Sequence, residues 1–485
     1  MKTSLVPLLL GLAAFGVVMT VTSGAGPGLD PDSMSYVGAA TSFAHHGTFR
    51  VPSSSWDSDD STSALTVWPP GFPIAMGIPI ALGATTRAAA RIVNASAAFV
   101  TAIVMYLLLD EAIGPAAAAL AVIAVLATPA FIGVHLSVLS EPLFLASLML
   151  VLFAMVRRRP ILAGIFAAVT AMVRYAGACA PLAVVIWFFF EDAKPIRQRF
   201  KDATLAGIIP AITIAFWIVR SRRVGSDEGG IEVSVYGKLG PTLREGLHTI
   251  ADWLAPGITS VVPQIIIAVA MAGAIAMGVL KYWRSTRRTR SSDNLFRAGT
   301  VLLSCYLAVL INARLFVGDA IPFDFRILSP LMLLLVVLIA LSAGSVWKRS
   351  RVAISVFALW LVASAVVSED ISHEAITEGS DFASSEWRHS PTIDWIRSRA
   401  AGVALFTNWP AAVYFKTGRT SHDIPQSLDT AELREFHDIL KDDNGVFVAF
   451  NEYNTDYPPS DSIAHGAGLV PIEKLSDGTV WAVSK

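Results

Sequence analysis

Two acidic side chains directly follow the first apolar segment of the sequence. Asp30 and Asp32 open the stretch GLDPDSMSYVGAATSFAHHGTF, and Tyr36 lies about one helical turn beyond Asp32. A carboxylate in such a position can take a proton from a hydroxyl group or cap a helix. The capping alternative assigns Asp32 as the N-cap of a helix that begins at Ser33, and the sequence leaves both alternatives open.

Other ionisable side chains stand between or inside apolar segments. His135 and Glu141 bracket the turn HLSVLSE, whereas Arg174 and Tyr175 separate two short apolar stretches. Glu141 could serve as a helix cap, because a carboxylate is favoured near a helix N-terminus. A charge such as that of Arg174 is costly among apolar residues and is usually paired or functional.

A third turn, DAIPFDFRILSP, contains Asp319, Asp324 and Arg326 immediately before a long apolar run. An interfacial arginine beside an aspartate partner would also explain this turn. Together, three loops supply acids and two supply arginines at about the same expected depth. Such a set of residues could bind a phosphate group that is anchored in a bilayer.

The elements that must position these residues are membrane helices. Of the 485 residues, 54% are hydrophobic and 15% are charged, and the mean hydropathy is +0.58. Soluble domains carry about 25% charged residues. We predict about eleven spans, at 4–23, 88–109, 115–134, 142–156, 160–173, 176–190, 203–220, 258–280, 298–317, 327–346 and 352–368. The net charge of −1 gives no reason to expect a nucleic acid partner.

The orientation follows from the basic clusters. With the N-terminus in the cytoplasm, the clusters at 157–159, 194–201, 281–290 and 348–351 all fall inside, as the positive-inside rule requires. This requires the proline-rich segment 68–83 to lie in the outer interface or to be partly re-entrant. The first helix has some features of a cleaved signal peptide, but a retained helix is the preferred interpretation.

The predicted fold class is mainly α, with two domains. Residues 1–368 form a polytopic helical membrane domain that includes the outer loops 24–87 and 221–257, the second with an interfacial helix. Residues 369–485 form a small extracytoplasmic α/β domain, in which VALFT, GVFVAF and VWAVS are strands and Asp477-Gly478 is a hairpin turn. The two cysteines indicate neither a disulfide framework nor a zinc site.

Four short motifs occur in a characteristic order within residues 1–350. They are Asp32-Ser33-x-x-Tyr36, Trp68-Pro69-Pro70-Gly71, Ser140-Glu141-Pro142-Leu143 and Val173-Arg174-Tyr175. In order, spacing and topology, the sequence resembles the GT-C glycosyltransferases, in the branch of protein mannosyltransferases and aminoarabinose transferases. The tail segment TNWPAAVYFKTGR resembles the extracytoplasmic C-terminal segment of members of this group.

The resemblance implies an inverting glycosyltransferase of the cell envelope. It would move a sugar from a polyprenyl-phosphate carrier to a glycan, lipid or protein acceptor on the outer face of the plasma membrane. Asp32 is then the expected general base, with Asp30 second. The expected substrate-binding residues are Glu141, Arg174, Tyr175, Arg326, Tyr36 and His135, with the two arginines stabilising the leaving phosphate.

The sequence leaves metal dependence and two other function classes open. Glu141 matches the family's second acidic position, where it could orient the acceptor or assist with a divalent metal, but no ligand set is defined. A transporter or flippase of a lipid-linked substrate would also place polar residues in the membrane, although no inverted repeat is recognisable. A non-catalytic envelope protein, anchored by its spans and binding a partner through its tail, is the other alternative.

Overall fold

The architecture comes from a computed structural model, which describes residues 5–191, 194–224, 239–284, 289–316, 321–346, 351–452 and 454–484. Asp319, one of the acids expected near Arg326, lies outside these residues. The chain divides into two compact units. Unit 1 comprises Met1–Gly24, Thr66–Phe72 and Ala88–Thr377, and unit 2 comprises Ala25–Leu65, Pro73–Arg87 and Glu378–Lys485.

Helices dominate the described chain. In order they are α1 (Val6–Val21), α2 (Pro31–His46), α3 (Gly71–Ala81), α4 (Thr86–Ile113), α5 (Pro115–Leu126), α6 (Pro129–Leu136), α7 (Glu141–Val156), α8 (Pro160–Val173), α9 (Cys179–Phe189), α10 (Ile196–Val224), α11 (Leu239–Leu254), α12 (Val261–Arg284), α13 (Arg290–Phe316), α14 (Phe325–Val346), α15 (Arg351–Thr377), α16 (Ser385–Arg388), α17 (Pro391–Arg399), α18 (Pro410–Thr417), α19 (Thr430–Asp442) and α20 (Ser460–Gly466). A short 3₁₀ helix, Tyr175–Ala178, joins α8 to α9.

The strands are shorter. They are β1 (Arg50–Val51), β2 (Ser53–Ser54), β3 (Ser63–Ala64), β4 (Leu405–Thr407), β5 (Ser421–His422), β6 (Val446–Phe450), β7 (Val470–Lys474) and β8 (Gly478–Ala482).

A described helix lies at each of the eleven predicted spans, but at most seven spans have the length and apolarity needed to cross a bilayer. Six described helices are long and apolar enough to cross a bilayer, and the bent pair α5 and α6 would make a seventh span. Four predicted spans correspond to shorter apolar helices, namely α1, α7, α8 and the stretch Tyr175–Phe189. The chain is a multi-pass membrane protein, and the predicted fold class of membrane helices with a small C-terminal α/β region is confirmed.

The span predicted at 115–134 is not one straight helix. Its two halves meet at an angle of 56°. Thr128 has an extended backbone and its hydroxyl accepts a hydrogen bond from the Phe131 N–H, while Pro129 occupies the first helical position. A threonine cap followed by proline starts a new helix, so the apolar run that predicted one span contains two helices.

A break between α8 and the 3₁₀ helix positions Arg174. The backbone of Arg174 is extended, with φ −147° and ψ 146°. Gly177 packs so closely on the preceding helix that a Cβ there would lie 2.2 Å from the Thr170 carbonyl oxygen. The turn therefore requires glycine, and it brings the charged side chain of Arg174 out of the helical repeat at the end of α8.

Unit 2 is built around a six-stranded sheet with the order β2-β5-β4-β6-β8-β7. Strands β2, β5, β4 and β6 run parallel, whereas β8 pairs antiparallel with β6 and with β7. Phe406, Phe436 and Phe447 are fully buried in the core of this unit. The predicted strands and the β7–β8 hairpin at Asp477-Gly478 are present.

The first outer loop contributes to this sheet. Ser53 and Ser54 of β2 pair with Ser421 and His422 of β5, and the Ser54 hydroxyl lies 3.1 Å from Nδ1 of His422. Residues 25–65 and 73–87 therefore group with the C-terminal residues, whereas the whole loop 24–87 was predicted to belong to the membrane domain. The difference arises because backbone pairing in a two-residue strand leaves no hydrophobic pattern in the sequence.

Candidate active site

One buried carboxylate in unit 1 lies between two arginines. Oε1 of Glu141 is 2.7 Å from Nη1 of Arg174 and 3.2 Å from Nε of Arg326. Nη1 of Arg174 also donates to the Ser140 hydroxyl at 3.1 Å. These contacts join the loop before α7, the break after α8 and the first turn of α14. We call Glu141, Arg174 and Arg326 the arginine cluster.

Because the arginine cluster is buried, the loss of any one of its ion-pair partners is expected to be costly for stability. Glu141 is 1% exposed and Arg174 is 8% exposed. Removing one partner of a buried ion pair leaves an uncompensated charge and typically costs about 3–5 kcal/mol. The second carboxylate oxygen of Glu141, Oε2, has no hydrogen-bond partner among the described residues. Glu141 therefore holds the arginines with one oxygen and retains acceptor capacity on the other.

Two helices, α7 and α14, begin at the arginine cluster. Glu141 is the first residue of α7, and Arg326 lies in the first turn of α14. Asp324 caps α14 by accepting a hydrogen bond from the Ile327 N–H at 2.9 Å, and burial raises the pKa of its carboxyl group. Helix N-termini carry partial positive charge. Together with the two guanidinium groups beside Glu141, these partial charges favour binding of an additional anion.

Helix α11, which the sequence predicted to lie in the membrane interface, supports the start of α14. Oε2 of Glu245 accepts a hydrogen bond from the Phe323 N–H at 3.0 Å, and the Thr249 hydroxyl donates to the Phe323 carbonyl oxygen at 2.9 Å. Leu243 and Leu247 on the same helix are exposed, as expected for a helix at a membrane surface. The sequence predicted this helix but not its role in positioning the turn that precedes Arg326.

Tyr175 has a different environment from its neighbour Arg174. Its hydroxyl donates to the Thr66 carbonyl oxygen at 3.0 Å and accepts from Nε1 of Trp217 at 3.2 Å. Gly71 of the Trp-Pro-Pro-Gly motif lies against α8, where a Cβ would be 2.5 Å from the Met172 carbonyl oxygen. Two of the sequence motifs therefore pack together. Trp217 was not recognised from the sequence because its signal is a single aromatic residue in an apolar helix.

The other predicted acids lie in unit 2, at the start of α2. Asp30 is the N-cap, and its carboxylate accepts a hydrogen bond from the Asp32 N–H at 3.1 Å. The alternative that assigned the cap to Asp32 is therefore wrong by two residues, because Pro31 occupies the first helical position. Asp32 stands in the first turn of α2 and is partly exposed. Tyr36 is buried, with 1% exposure.

The C-terminal residues hold this segment in place within unit 2. Leu29 forms a parallel bridge with Asp381, and its carbonyl oxygen accepts a hydrogen bond from the Phe382 N–H at 3.1 Å. Helix α18 packs against α2, with the Tyr414 side chain close to Thr41. The tail motif TNWPAAVYFKTGR, which contains α18, thus supports the helix that carries Asp32.

His135 is buried near the end of α6 in unit 1. Its Nδ1 lies 2.7 Å from the Phe131 carbonyl oxygen, and its ring is 4.1 Å from that of Phe131. Nε2 has no hydrogen-bond partner among the described residues. Because a carbonyl oxygen can only accept a hydrogen bond, the contact with Phe131 indicates that Nδ1 carries the proton, which leaves Nε2 as an acceptor. A substrate-binding role for His135 stays a prediction.

The described residues contain no group of three or more His, Cys, Asp or Glu side chains arranged to hold a metal ion. Glu141 Oε2 is an oxygen ligand of the kind that divalent cations prefer. The Asp30 carboxylate already accepts the hydrogen bond that caps α2. Metal dependence thus stays open, and no residue set is assigned to it.

Unit 2 contains a polar cavity of about 210 Å³ at the carboxyl ends of β4 and β6. It is lined in part by Asn408, Asn451, Asn454 and Tyr457. Amide and aromatic side chains are suited to binding hydroxyl-rich ligands. Tyr457 also lies close to Asp423, and burial raises the pKa of that carboxyl group to about 6.

The raised pKa of Asp423 predicts a pH-dependent stability. In the unfolded chain the pKa is 3.8. Between about pH 4 and pH 6 the Asp423 carboxyl group is deprotonated in the unfolded chain but still protonated in the folded protein. Raising the pH through this range therefore lowers the free energy of unfolding by up to about 3 kcal/mol. Asp423→Asn should remove this cost. We expect it to raise the thermal unfolding temperature of the full-length protein near pH 7.5, with the gain shrinking towards pH 4.

The matched control is Asp394→Asn, which changes an exposed carboxylate on α17 of unit 2. It should change stability little at either pH. A loss of stability for Asp423→Asn at every pH would show that Tyr457 requires the carboxylate, contrary to this account.

Comparison with known proteins supports the fold. No protein-family model and no curated protein sequence matches the chain. Among solved structures, the arabinofuranosyltransferase AftD from Mycobacteria superposes with a TM-score of 0.59 at 14% identity, over 99% of this chain and 40% of AftD. The chain thus spans less than half the length of AftD.

Two further structures match over most of the chain. ArnT from Cupriavidus metallidurans bound to undecaprenyl phosphate superposes with a TM-score of 0.50 at 13% identity, over 98% of this chain and 97% of ArnT. An oligosaccharyltransferase from Archaeoglobus fulgidus, in complex with zinc and sulfate, gives a TM-score of 0.50 at 12% identity, over 91% of this chain and 68% of that protein. The chain therefore has the GT-C glycosyltransferase fold, as its motifs predicted.

Proposed function

We propose that the protein is an inverting membrane glycosyltransferase that uses a polyprenyl-phosphate-linked sugar as donor. The observation that carries the proposal is the arginine cluster, in which two guanidinium groups and one carboxylate meet beside helix N-termini. The GT-C fold, shared with sugar-transferring enzymes, agrees with it. The ArnT structure contains undecaprenyl phosphate, a lipid of the class that this donor would carry.

Each side chain then has a chemical role. An acceptor hydroxyl attacks the anomeric carbon of the sugar, and the bond from that carbon to the phosphate oxygen breaks. The electron pair leaves with the polyprenyl phosphate, and the hydroxyl proton passes to a general base, the role that the family resemblance assigns to Asp32. Arg174 and Arg326 stabilise the charge on the departing phosphate, for which guanidinium groups are well suited.

Glu141 has a positioning role in this proposal. One carboxylate oxygen holds both arginines, and the other, without a partner in the described chain, can accept a hydrogen bond from a substrate hydroxyl or bind a divalent cation. Tyr36, Tyr175 and His135 stay predictions as substrate-binding residues. For the cavity of unit 2, binding of the glycan, lipid or protein acceptor is the role that its polar lining favours.

The proposed location is the plasma membrane, with the N-terminus in the cytoplasm and the C-terminal region outside. This orientation rests on the distribution of Lys and Arg between loops. It would place the transfer reaction on the outer membrane face, where the acceptor would be a component of the cell envelope.

Arg326→Gln tests the phosphate-binding role. The side chain is 21% exposed, so removing its charge should be tolerated by the fold better than removing that of Arg174. A hydrogen bond to a charged group contributes about 1.5–3 kcal/mol, equivalent to about a tenfold to hundredfold change in affinity. We expect undecaprenyl phosphate to bind the variant that much more weakly, as measured by native mass spectrometry of the purified protein.

Arg157→Gln is the control, because it removes the same charge from an exposed arginine paired with Glu111. It should bind undecaprenyl phosphate as the parent does. If the parent and Arg326→Gln bind undecaprenyl phosphate with equal affinity, Arg326 does not contribute to the phosphate site.

A further inference from the structure

A cavity at one end of the helices of unit 1 lies away from the arginine cluster. It has a volume of about 720 Å³ and is formed where α7 and α9 end and α13 begins. Glu141 begins α7, and Arg158, which lines the cavity, follows the end of that helix. A helix of 16 residues is about 24 Å long. The cavity and the arginine cluster therefore lie at opposite ends of the same helices, near opposite membrane surfaces.

Positive charge exceeds negative charge in the lining of this cavity. It contains Arg158, Arg290 and Arg297 but only two acids, Glu191 and Asp293. Both acids already have partners within the protein. Glu191 forms ion pairs with Arg158 and with Lys194, and Asp293 accepts a hydrogen bond from the Tyr282 hydroxyl at 3.1 Å.

Arg290 and Arg297 are the side chains that can bind an external anion. Neither forms an ion pair within the residues that the structure describes. Arg158 and Arg290 both line the cavity, and burial together with the positive charge of Arg290 lowers the pKa of Arg158, as expected where like charges repel each other. An anion beside them would relieve this repulsion, and guanidinium groups are well matched to phosphate.

The remaining lining is aromatic and aliphatic. Trp283 and Phe296 pack edge to face with ring centroids 5.4 Å apart, and Trp187 and Ile186 extend the apolar surface. Phe190 is 67% exposed although it is a large apolar side chain. A cationic rim beside an apolar wall suits an amphiphile, and a volume of about 300–1,000 Å³ is usual for ligand sites.

We propose that this cavity binds the phosphate headgroup of an anionic membrane phospholipid at Arg290 and Arg297, with its acyl chains against Phe190 and Trp283. Basic pockets between membrane helices commonly bind anionic lipid headgroups. The site is separate from the arginine cluster and does not depend on the proposed transfer reaction.

The experiment measures lipid binding by the full-length protein in detergent, using native mass spectrometry. The probe is dioctanoyl phosphatidylglycerol, and dioctanoyl phosphatidylcholine tests the need for net negative charge. We expect the double variant Arg290→Gln/Arg297→Gln to bind phosphatidylglycerol about tenfold to hundredfold more weakly than the parent. Phosphatidylcholine should bind the parent weakly and be insensitive to the substitutions.

The matched control is Arg197→Gln/Lys201→Gln, which removes two exposed positive charges from the first turns of α10, outside the lining of the cavity. It should leave phosphatidylglycerol affinity within about twofold. An equal loss in both double variants would indicate attraction by diffuse charge and would overturn the proposal. No loss in Arg290→Gln/Arg297→Gln would also overturn it.

Two further measurements keep the test decisive. Millimolar inorganic phosphate should fail to displace the lipid, and complete displacement would assign the cavity to a free anion instead. If the double variant does not fold, Phe190→Ala provides the second test. It should weaken binding of dioctanoyl phosphatidylglycerol more than binding of the dihexanoyl form, and equal effects on the two chain lengths would contradict a site for acyl chains.

Discussion

Asp32→Asn should reduce sugar transfer by about 10²-fold to 10⁴-fold, the usual contribution of a general base. Asparagine matches aspartate in shape but cannot accept the hydroxyl proton. The substitution should leave α2 folded, because Asp30 and not Asp32 caps this helix. Transfer would be measured with the purified full-length protein, using carrier-linked sugars extracted from cells that lack the gene.

The matched control for this prediction is Asp30→Asn. Aspartate and asparagine are about equally good N-caps, so the variant should retain the cap and lose at most a few-fold in transfer. If Asp30→Asn abolished transfer while Asp32→Asn did not, the roles of the two acids would have to be exchanged. Full activity of both variants would contradict the assignment of the base to this loop.

Glu141→Gln should lower the free energy of unfolding of unit 1 by about 3–5 kcal/mol, because it leaves Arg174 buried without its negative partner. Arg174 is only 8% exposed and lies 2.7 Å from the carboxylate. The loss would be measured as the shift in unfolding of the purified protein, in detergent, under increasing denaturant.

Glu111→Gln is the appropriate comparison, since Glu111 pairs with Arg157 at an exposed position. Exposed ion pairs contribute about 0–1 kcal/mol, so this variant should be close to the parent in stability. Adding Arg174→Met to Glu141→Gln should recover part of the lost stability, because the uncompensated charge is then removed. A Glu141→Gln variant as stable as Glu111→Gln would contradict a buried ion pair that holds the arginine cluster.

The helices could be predicted from the sequence because long apolar runs must be helical in a bilayer, where every backbone polar group needs an internal partner. Hydropathy alone could not show that the run at 115–134 bends at Thr128, since a Thr-Pro helix start scarcely changes the local apolarity. Strand β2 was missed for a related reason. Ser53 and Ser54 have no alternating hydrophobic pattern, and only their pairing with β5 makes them a strand.

The candidate site was predictable in part. The positions of Glu141, Arg174 and Arg326 at the ends of apolar segments indicated a similar depth, and the structure brings the three side chains together around one carboxylate. Their pairing geometry could not be predicted, because it depends on the extended backbone at Arg174 and on how α14 packs against α7. The cap at Asp30 was missed because two acids two residues apart have the same capping preference.

The central claim is that the chain transfers a sugar from a polyprenyl-phosphate carrier. The most direct test compares, by mass spectrometry, carrier-linked sugars and envelope glycans in the parent strain, in a deletion strain and in a strain producing Asp32→Asn at the parental protein level. Both altered strains should accumulate the same carrier-linked sugar and lack that sugar in one glycan. A deletion strain with unchanged carrier-linked sugars and unchanged glycans would contradict the claim.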